Sequence, residues 1–73
     1  MMITHFIVAL DPSNYTSGVV FDTYQKALNH RLAIESVVGK KHFIIELHYD
    51  DDGKETPPSQ IFAYDGEKRI RIL

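Results

Sequence analysis

The chain has no cysteine and no tryptophan. Without thiols it forms no disulfide and offers no thiolate to a metal. That absence fits a reducing compartment, and a cytoplasmic protein is the expectation. Positive charge is also scarce: the formal net charge is −2. Generic nucleic-acid binding draws its affinity from neutralising phosphates, so the overall balance argues against it while leaving room for a local basic patch. No apolar run approaches membrane-spanning length. The start, MMITHFIVALDPS, lacks a basic n-region and its short apolar stretch carries His5, so it reads as a strand and not as a signal peptide.

The motifs of common chemistry are missing too. There is no Gly-rich phosphate loop. Ser13, Ser17, Ser36 and Ser59 lie in no nucleophile elbow. A chain of 73 residues has little volume for a water-excluding pocket. We therefore expect no enzyme, no cofactor and no metal.

What remains is a small globular chain. Its length fits a single α+β domain, 1–73, near the lower limit for an independent core. The apolar fraction of 44% excludes wholesale disorder, and four Tyr and four Phe supply large buried areas. Pairing into a homodimer would compensate for the small core.

The stretch Phe21 to Gly39, FDTYQKALNHRLAIESVVG, is the only segment with helical character. Asp22 is the expected N-cap, with Gln25 three residues on in a capping-box position. Gly39 is the expected stop, in a left-handed C′ conformation, followed by Lys40 and Lys41 near the negative end of the dipole. At 100° per residue, Tyr24, Ala27, Leu28, Leu32, Ile34 and Val38 fall in one arc of roughly 160°. Arg31 and Glu35 lie inside that arc, four apart, and can pair. In one reading they snorkel at the edge of the core. In the other they form a charged seam between two apolar faces, one for the sheet and one for a partner chain.

The other segments alternate as strands do. Ile3 to Leu10 puts Phe6, Val8 and Leu10 on one face and Ile3, His5, Ile7 and Ala9 on the other. Asp11 to Asn14 is a Pro-containing turn. Asn14-Tyr15-Thr16 matches a glycosylation sequon with no secretory signal ahead of it. Thr16 to Phe21 reads as a second strand broken at Gly18. Lys41 to Tyr49 places Phe43, Ile45, Leu47 and Tyr49 on an apolar face expected to meet the helix. It leaves His42, Ile44, Glu46 and His48 on the other. Asp50 to Pro58 is a polar loop, Gln60 to Tyr64 a short strand, Asp65-Gly66 a two-residue turn, and Lys68 to Leu73 the last strand. The order is β-β-α-β-β-β. The expected fold is an antiparallel sheet of four to five strands, the helix on one face and the second face open to water or a partner. A strand leading to a V-F-D-T-Y-x-x-A-L helix and then to more strands is common among small α+β proteins, short accessory and phage-encoded ones included. That likeness is architectural and assigns no functional residues.

Three constellations could carry chemistry. His48, Asp50, Asp52, Gly53 and Ser59 fall on positions one, three, five, six and twelve of a calcium loop, but the bidentate Glu and the flanking helices are missing. Glu46 and His48, with His5 from a neighbouring strand, could meet a zinc ion if the register allows. Lys40, Lys41, Lys68, Arg69 and Arg71 could join into one basic patch for nucleic acid if the last strand lies near the helix end. The function most consistent with these features is a small non-catalytic protein-binding module that serves a larger protein as inhibitor, adaptor or regulator. Its expected contact residues are Arg31, Glu35, Ile44 and Glu46. The alternative is a nucleic-acid-binding domain using the basic patch.

Overall fold

The computed structural model describes residues 3–50 and 57–73. The Asp51–Asp52–Gly53 part of the candidate calcium loop lies outside them. The fold is α+β: a five-stranded antiparallel sheet with one main helix. The strands are β1 (Ile3–Ala9), β2 (Val19–Phe21), β3 (Phe43–Tyr49), β4 (Gln60–Asp65) and β5 (Lys68–Arg71), in the order β2-β1-β3-β4-β5. The helix α1 (Tyr24–Val38) connects β2 to β3 across the intervening β1.

Helix α1 starts one residue later than its sequence suggests. The N-cap is Thr23, whose Oγ1 accepts from the Lys26 N–H at 3.2 Å, while Asp22 pairs with the Lys26 ammonium at 3.0 Å. Gln25 bonds forward to Asn29 and does not complete a capping box. The stop is as expected: Gly39 has φ 73°, and its N–H donates to Glu35 O at 2.8 Å.

A 3₁₀ segment, Pro12–Ser17, takes up the first two residues of the expected second strand, Thr16 and Ser17. Asp11 caps it, accepting from the Ser13 N–H and hydroxyl at 2.9 and 2.8 Å. Only Val19–Phe21 then remains to pair with Phe6–Val8. The last hairpin also shifts by one residue. Asp65 pairs with Lys68, so the loop is Gly66-Glu67 and Tyr64 stands opposite Arg69. Beyond Arg71, Ile61 O accepts from both Ile72 N and Leu73 N, at 2.8 and 3.1 Å. This β-bulge blunts the β5 edge.

Both faces of the sheet carry a core, and their assignment reverses the sequence expectation. Val8 and Ile44 meet the helix at Ala27, with Phe6, Phe21, Tyr24, Leu28, Ile34 and Tyr64 around them. Phe43, Ile45, Leu47 and Tyr49 point away from it. They join Ile7, Ala9, Ile61 and Ala63 on the far face, against Tyr15 of the 3₁₀ segment. The centre of that face is buried, not open; only its margins expose Val20, Ile70 and Ile72. Ile44, expected as a contact residue on an open face, is 0% exposed and belongs to the core. Alternation fixes which residues share a face, and the even-numbered set of β3 faces the helix.

The helix meets the sheet along Tyr24, Ala27, Leu28, Arg31, Ile34 and Glu35, all at least partly buried, and Leu32 turns outward at 53% exposure. This is an i, i+3, i+4, i+7 stripe with two charged members. Their burial is possible because each finds a backbone partner. Arg31 Nη1 donates to Gly66 O at 3.2 Å, and Glu35 Oε2 accepts from the His42 N–H at 2.6 Å. The pair fastens the helix to the β4–β5 turn and to the start of β3.

Candidate functional site

The feature that departs from a plain core is Glu46. Strand alternation sets it on the helix side of β3, between Phe6 of β1 and Phe62 of β4. An apolar residue would suit that position, as Ile44 does two residues earlier. Glu46 is instead a carboxylate that is 5% exposed. Tyr64 O–H donates to its Oε1 at 2.7 Å. Arg69 Nη2 and His48 Nε2 both donate to its Oε2.

Each partner continues outward. The Arg69 guanidinium lies over the Phe62 ring, 3.7 Å from its centroid, with the side chain 45% exposed. The His48 ring stands edge-on to Phe62 at 5.6 Å. Because a carboxylate only accepts, His48 Nε2 carries the proton. In the neutral ring Nδ1 then accepts from the Thr4 hydroxyl at 3.2 Å. Tyr64 stacks on Tyr24, the first helical residue, at 4.9 Å, and Tyr24 meets Phe6 edge-on. One buried carboxylate thus fixes the orientation of a cation, an imidazole and a phenol on one continuous face.

The protonation behaviour follows from this packing. Burial, the largest single influence on Glu46, pushes its pKa up. The hydrogen bonds from Arg69, Tyr64 and His48 together outweigh it and hold the carboxyl below its ordinary value. Tyr64 is pushed up to about 12, first by burial and then by its bond to the carboxylate. Arg69 is raised further by its hydrogen bond to Glu46. Thr4, His48 and Glu46 form a hydroxyl–imidazole–carboxylate chain. Its carboxylate is already matched by a guanidinium and a phenol, so it drives proton transfer weakly and serves better as an anchor.

This network has a testable pH signature. Because its folded pKa is lowered, ionised Glu46 contributes stability that is full above its ordinary value of 4.5 and lost as pH falls through the folded value. Arg69→Ala removes the largest of those hydrogen bonds and the nearby positive charge, so burial is offset by Tyr64 and His48 alone and the folded pKa rises. The linkage of stability to acid pH changes with it. At neutral pH the variant loses about 1–2 kcal/mol, the half-exposed guanidinium being partly replaced by water. The gap to wild type narrows as acid protonates Glu46 in both proteins. Urea midpoints between roughly pH 4 and 7 check it; parallel curves for the two proteins would show that Arg69 does not control Glu46.

The other candidate residues are more dispersed. His5 stands opposite Leu47 on the far face, edge-on to Tyr49 at 5.8 Å, so it cannot join Glu46 and His48 around one ion. Among the described residues no group of three or more His, Asp or Glu is placed to hold a metal. The basic residues do not form one patch. Lys40 and Lys41 sit by the β4–β5 turn, where Lys41 pairs with Asp65. Arg69 and Arg71 share the helix-side face, and Lys68 points to the other by alternation. Arg71 Nε donates to Leu73 O at 3.3 Å.

Sequence reasoning did not link Phe62, Tyr64 and Arg69 to Glu46. The signal lay in strand parity. Phe62 and Tyr64 share a face with Glu46 once β3 and β4 pair, and a two-residue turn places Arg69 and Arg71 on it too.

No family model, no curated protein and no solved structure matches the chain. Among the described residues no helix is long and apolar enough to cross a membrane.

Proposed function

We propose that the chain is a small non-catalytic protein-binding module, acting on a larger protein as inhibitor, adaptor or regulator. Its binding surface is the Phe62–Arg69–His48 area with Tyr64 at its border. The observation that carries this reading is the buried Glu46, whose hydrogen bonds all go to side chains of that area. A buried carboxylate adds little stability over a well-packed apolar residue. Its use here is to hold the surface side chains in fixed rotamers. Arg and Tyr are enriched among the residues that dominate protein interfaces, and preset rotamers lower the ordering cost of binding. Arg31, Glu35 and Ile44 leave the list of contact residues, since they fasten or fill the fold. Glu46 remains as support for the contact surface.

The test uses the immobilised chain and nuclease-treated lysate of the source cell. Arg69→Lys keeps the charge but loses the planar fork and the stack on Phe62. We expect a protein retained by wild type and by Leu32→Ala to be lost about tenfold or more by Arg69→Lys and by Phe62→Ala, with all four chains folded by circular dichroism. Equal retention by all four would exclude this surface. Retention that disappears on nuclease treatment would favour nucleic acid.

A further inference from the structure

The C-terminal end of α1 and the β4–β5 turn face each other across an open cleft of about 440 Å³, lined by Arg31, Glu35, Lys40, Lys41, His42 and the turn at Gly66. The proposed protein-binding surface does not use it. Two features set this cleft apart from an ordinary charged surface.

The first is Arg31. Its side chain is 11% exposed. A guanidinium carries several N–H donors, yet the one hydrogen bond made by this group goes from Nη1 to Gly66 O. Nε–H is shielded from solvent and has no hydrogen-bond acceptor among the described residues. Glu35 Oε1 lies 3.8 Å from Nε, within ion-pair reach but too far for a hydrogen bond. The other Glu35 oxygen is committed to the His42 N–H. Nε lies too deep for a ligand to reach, but the guanidinium lines the cleft, and its remaining terminal N–H groups have no hydrogen-bond acceptor among the described residues.

The second is charge. Arg31, Lys40 and Lys41 converge on the cleft, and Lys68 stands beside Asp65 in the β4–β5 pairing. Among the lining residues Glu35 offsets one of the three cations, so a surplus of two remains once Lys41 is released from Asp65. The Lys41–Asp65 pair is about half exposed on both sides and therefore easily redirected. Asp65 then keeps Lys68 as its neighbour while Lys41 turns into the cleft. A surplus of two matches a phosphate monoester better than a single carboxylate, and the cleft has room beyond the phosphate itself.

We propose that this cleft binds the terminal phosphate of a small phosphorylated molecule. Arg31 supplies planar donors at its base, and Lys40 and Lys41 close over the rim. The lysines also follow the negative end of the helix dipole, which competes for them, so the expected affinity is modest and salt-sensitive.

The experiment is an amide NMR titration of the intact chain at low salt with inorganic phosphate, a nucleoside monophosphate and the same nucleoside without phosphate. Saturable shifts at Gly39, Lys40, Lys41, His42 and Gly66 are expected with the two phosphates and not with the nucleoside. The exposed double variant Lys40→Ala/Lys41→Ala should keep the wild-type spectrum elsewhere and bind roughly tenfold more weakly or worse. Uniform, unsaturable shifts at every basic residue, or unchanged binding by the double variant, would overturn the proposal. So would an oligonucleotide lacking a terminal phosphate that binds more tightly and extends the shifts to Arg69 and Arg71, because that pattern is backbone recognition.

Discussion

Ile44→Ala should cost about 4 kcal/mol, between roughly a third and all of the chain's stability. Ile44 is fully buried beneath the helix, with Val8 and Ala27 as its buried neighbours and a ring of half-buried aromatic and aliphatic side chains outside them. Truncation removes the transfer free energy of the lost methyl groups and opens a cavity. The rings around it belong to three strands and the helix, so they cannot collapse into it together. A chain of this length has a total stability of only roughly 4–11 kcal/mol. With a urea slope of about 1 kcal/mol per molar, the midpoint falls by about 4 M. Ile44→Val should cost about 1 kcal/mol and stay folded. Leu32→Ala, at an exposed position of the same apolar arc, should change stability by less than about 0.5 kcal/mol. Equal urea midpoints for Ile44→Ala and wild type would mean that Ile44 is not core, and would return it to the list of surface contacts.

The contrast between Ile44 and Leu32 shows where sequence patterns lose information. Alternation along β1 and β3 is legible, so the two sets of residues on each strand can be named in advance. Which set meets the helix is not legible, because both sets are largely apolar and period two has no preference between them. The same holds for the helix stripe. Leu32 looks like a core residue and Arg31 like an edge residue on hydropathy alone. The partner that permits Arg31 to turn inward is a carbonyl 35 residues away, which no local window contains. Glu46 is a further case: its donors Tyr64 and Arg69 are 18 and 23 residues distant and meet it only through the pairing of β3, β4 and β5. Punctuation was more readable than faces. Gly39 ends the helix and the Asp65-Gly66 region turns the last hairpin, since each is a local backbone requirement. The extension of the Asp11–Pro12 turn into a 3₁₀ segment through Ser17 was hidden by Tyr15 and Thr16, whose β-propensity suggests a strand.

Gly18→Ala should cost about 3 kcal/mol, a large loss for the addition of one methyl group. Gly18 has φ −82° and ψ 180°, a conformation open to any residue, so the backbone itself is not strained. The constraint is space. A Cβ at this position would lie 2.3 Å from Val8 O and 2.6 Å from Ile7 Cγ2. Neither neighbour yields cheaply: one is a backbone carbonyl of the second strand in from the β2 edge, the other a core side chain. The junction between the 3₁₀ segment and β2 must therefore move away from β1. That strains the Gly18 N–H bond to Tyr15 O and the pairing of Val19 with Val8, and draws Tyr15 off the far-face core. One methyl group thereby disturbs a strand edge and the cover of a core at once. The melting temperature should drop by roughly 15 °C. Amide protection should fall first in the 3₁₀ segment and β2, which detach before β3 and β4. Gly39→Ala is the control. Its Cβ meets nothing within 4 Å, so only the left-handed backbone resists, at about 1 kcal/mol. Should Gly39→Ala prove the more damaging of the two, the close approach of Gly18 to β1 would not exist in solution, and the 3₁₀ segment would not be the element that covers the far face.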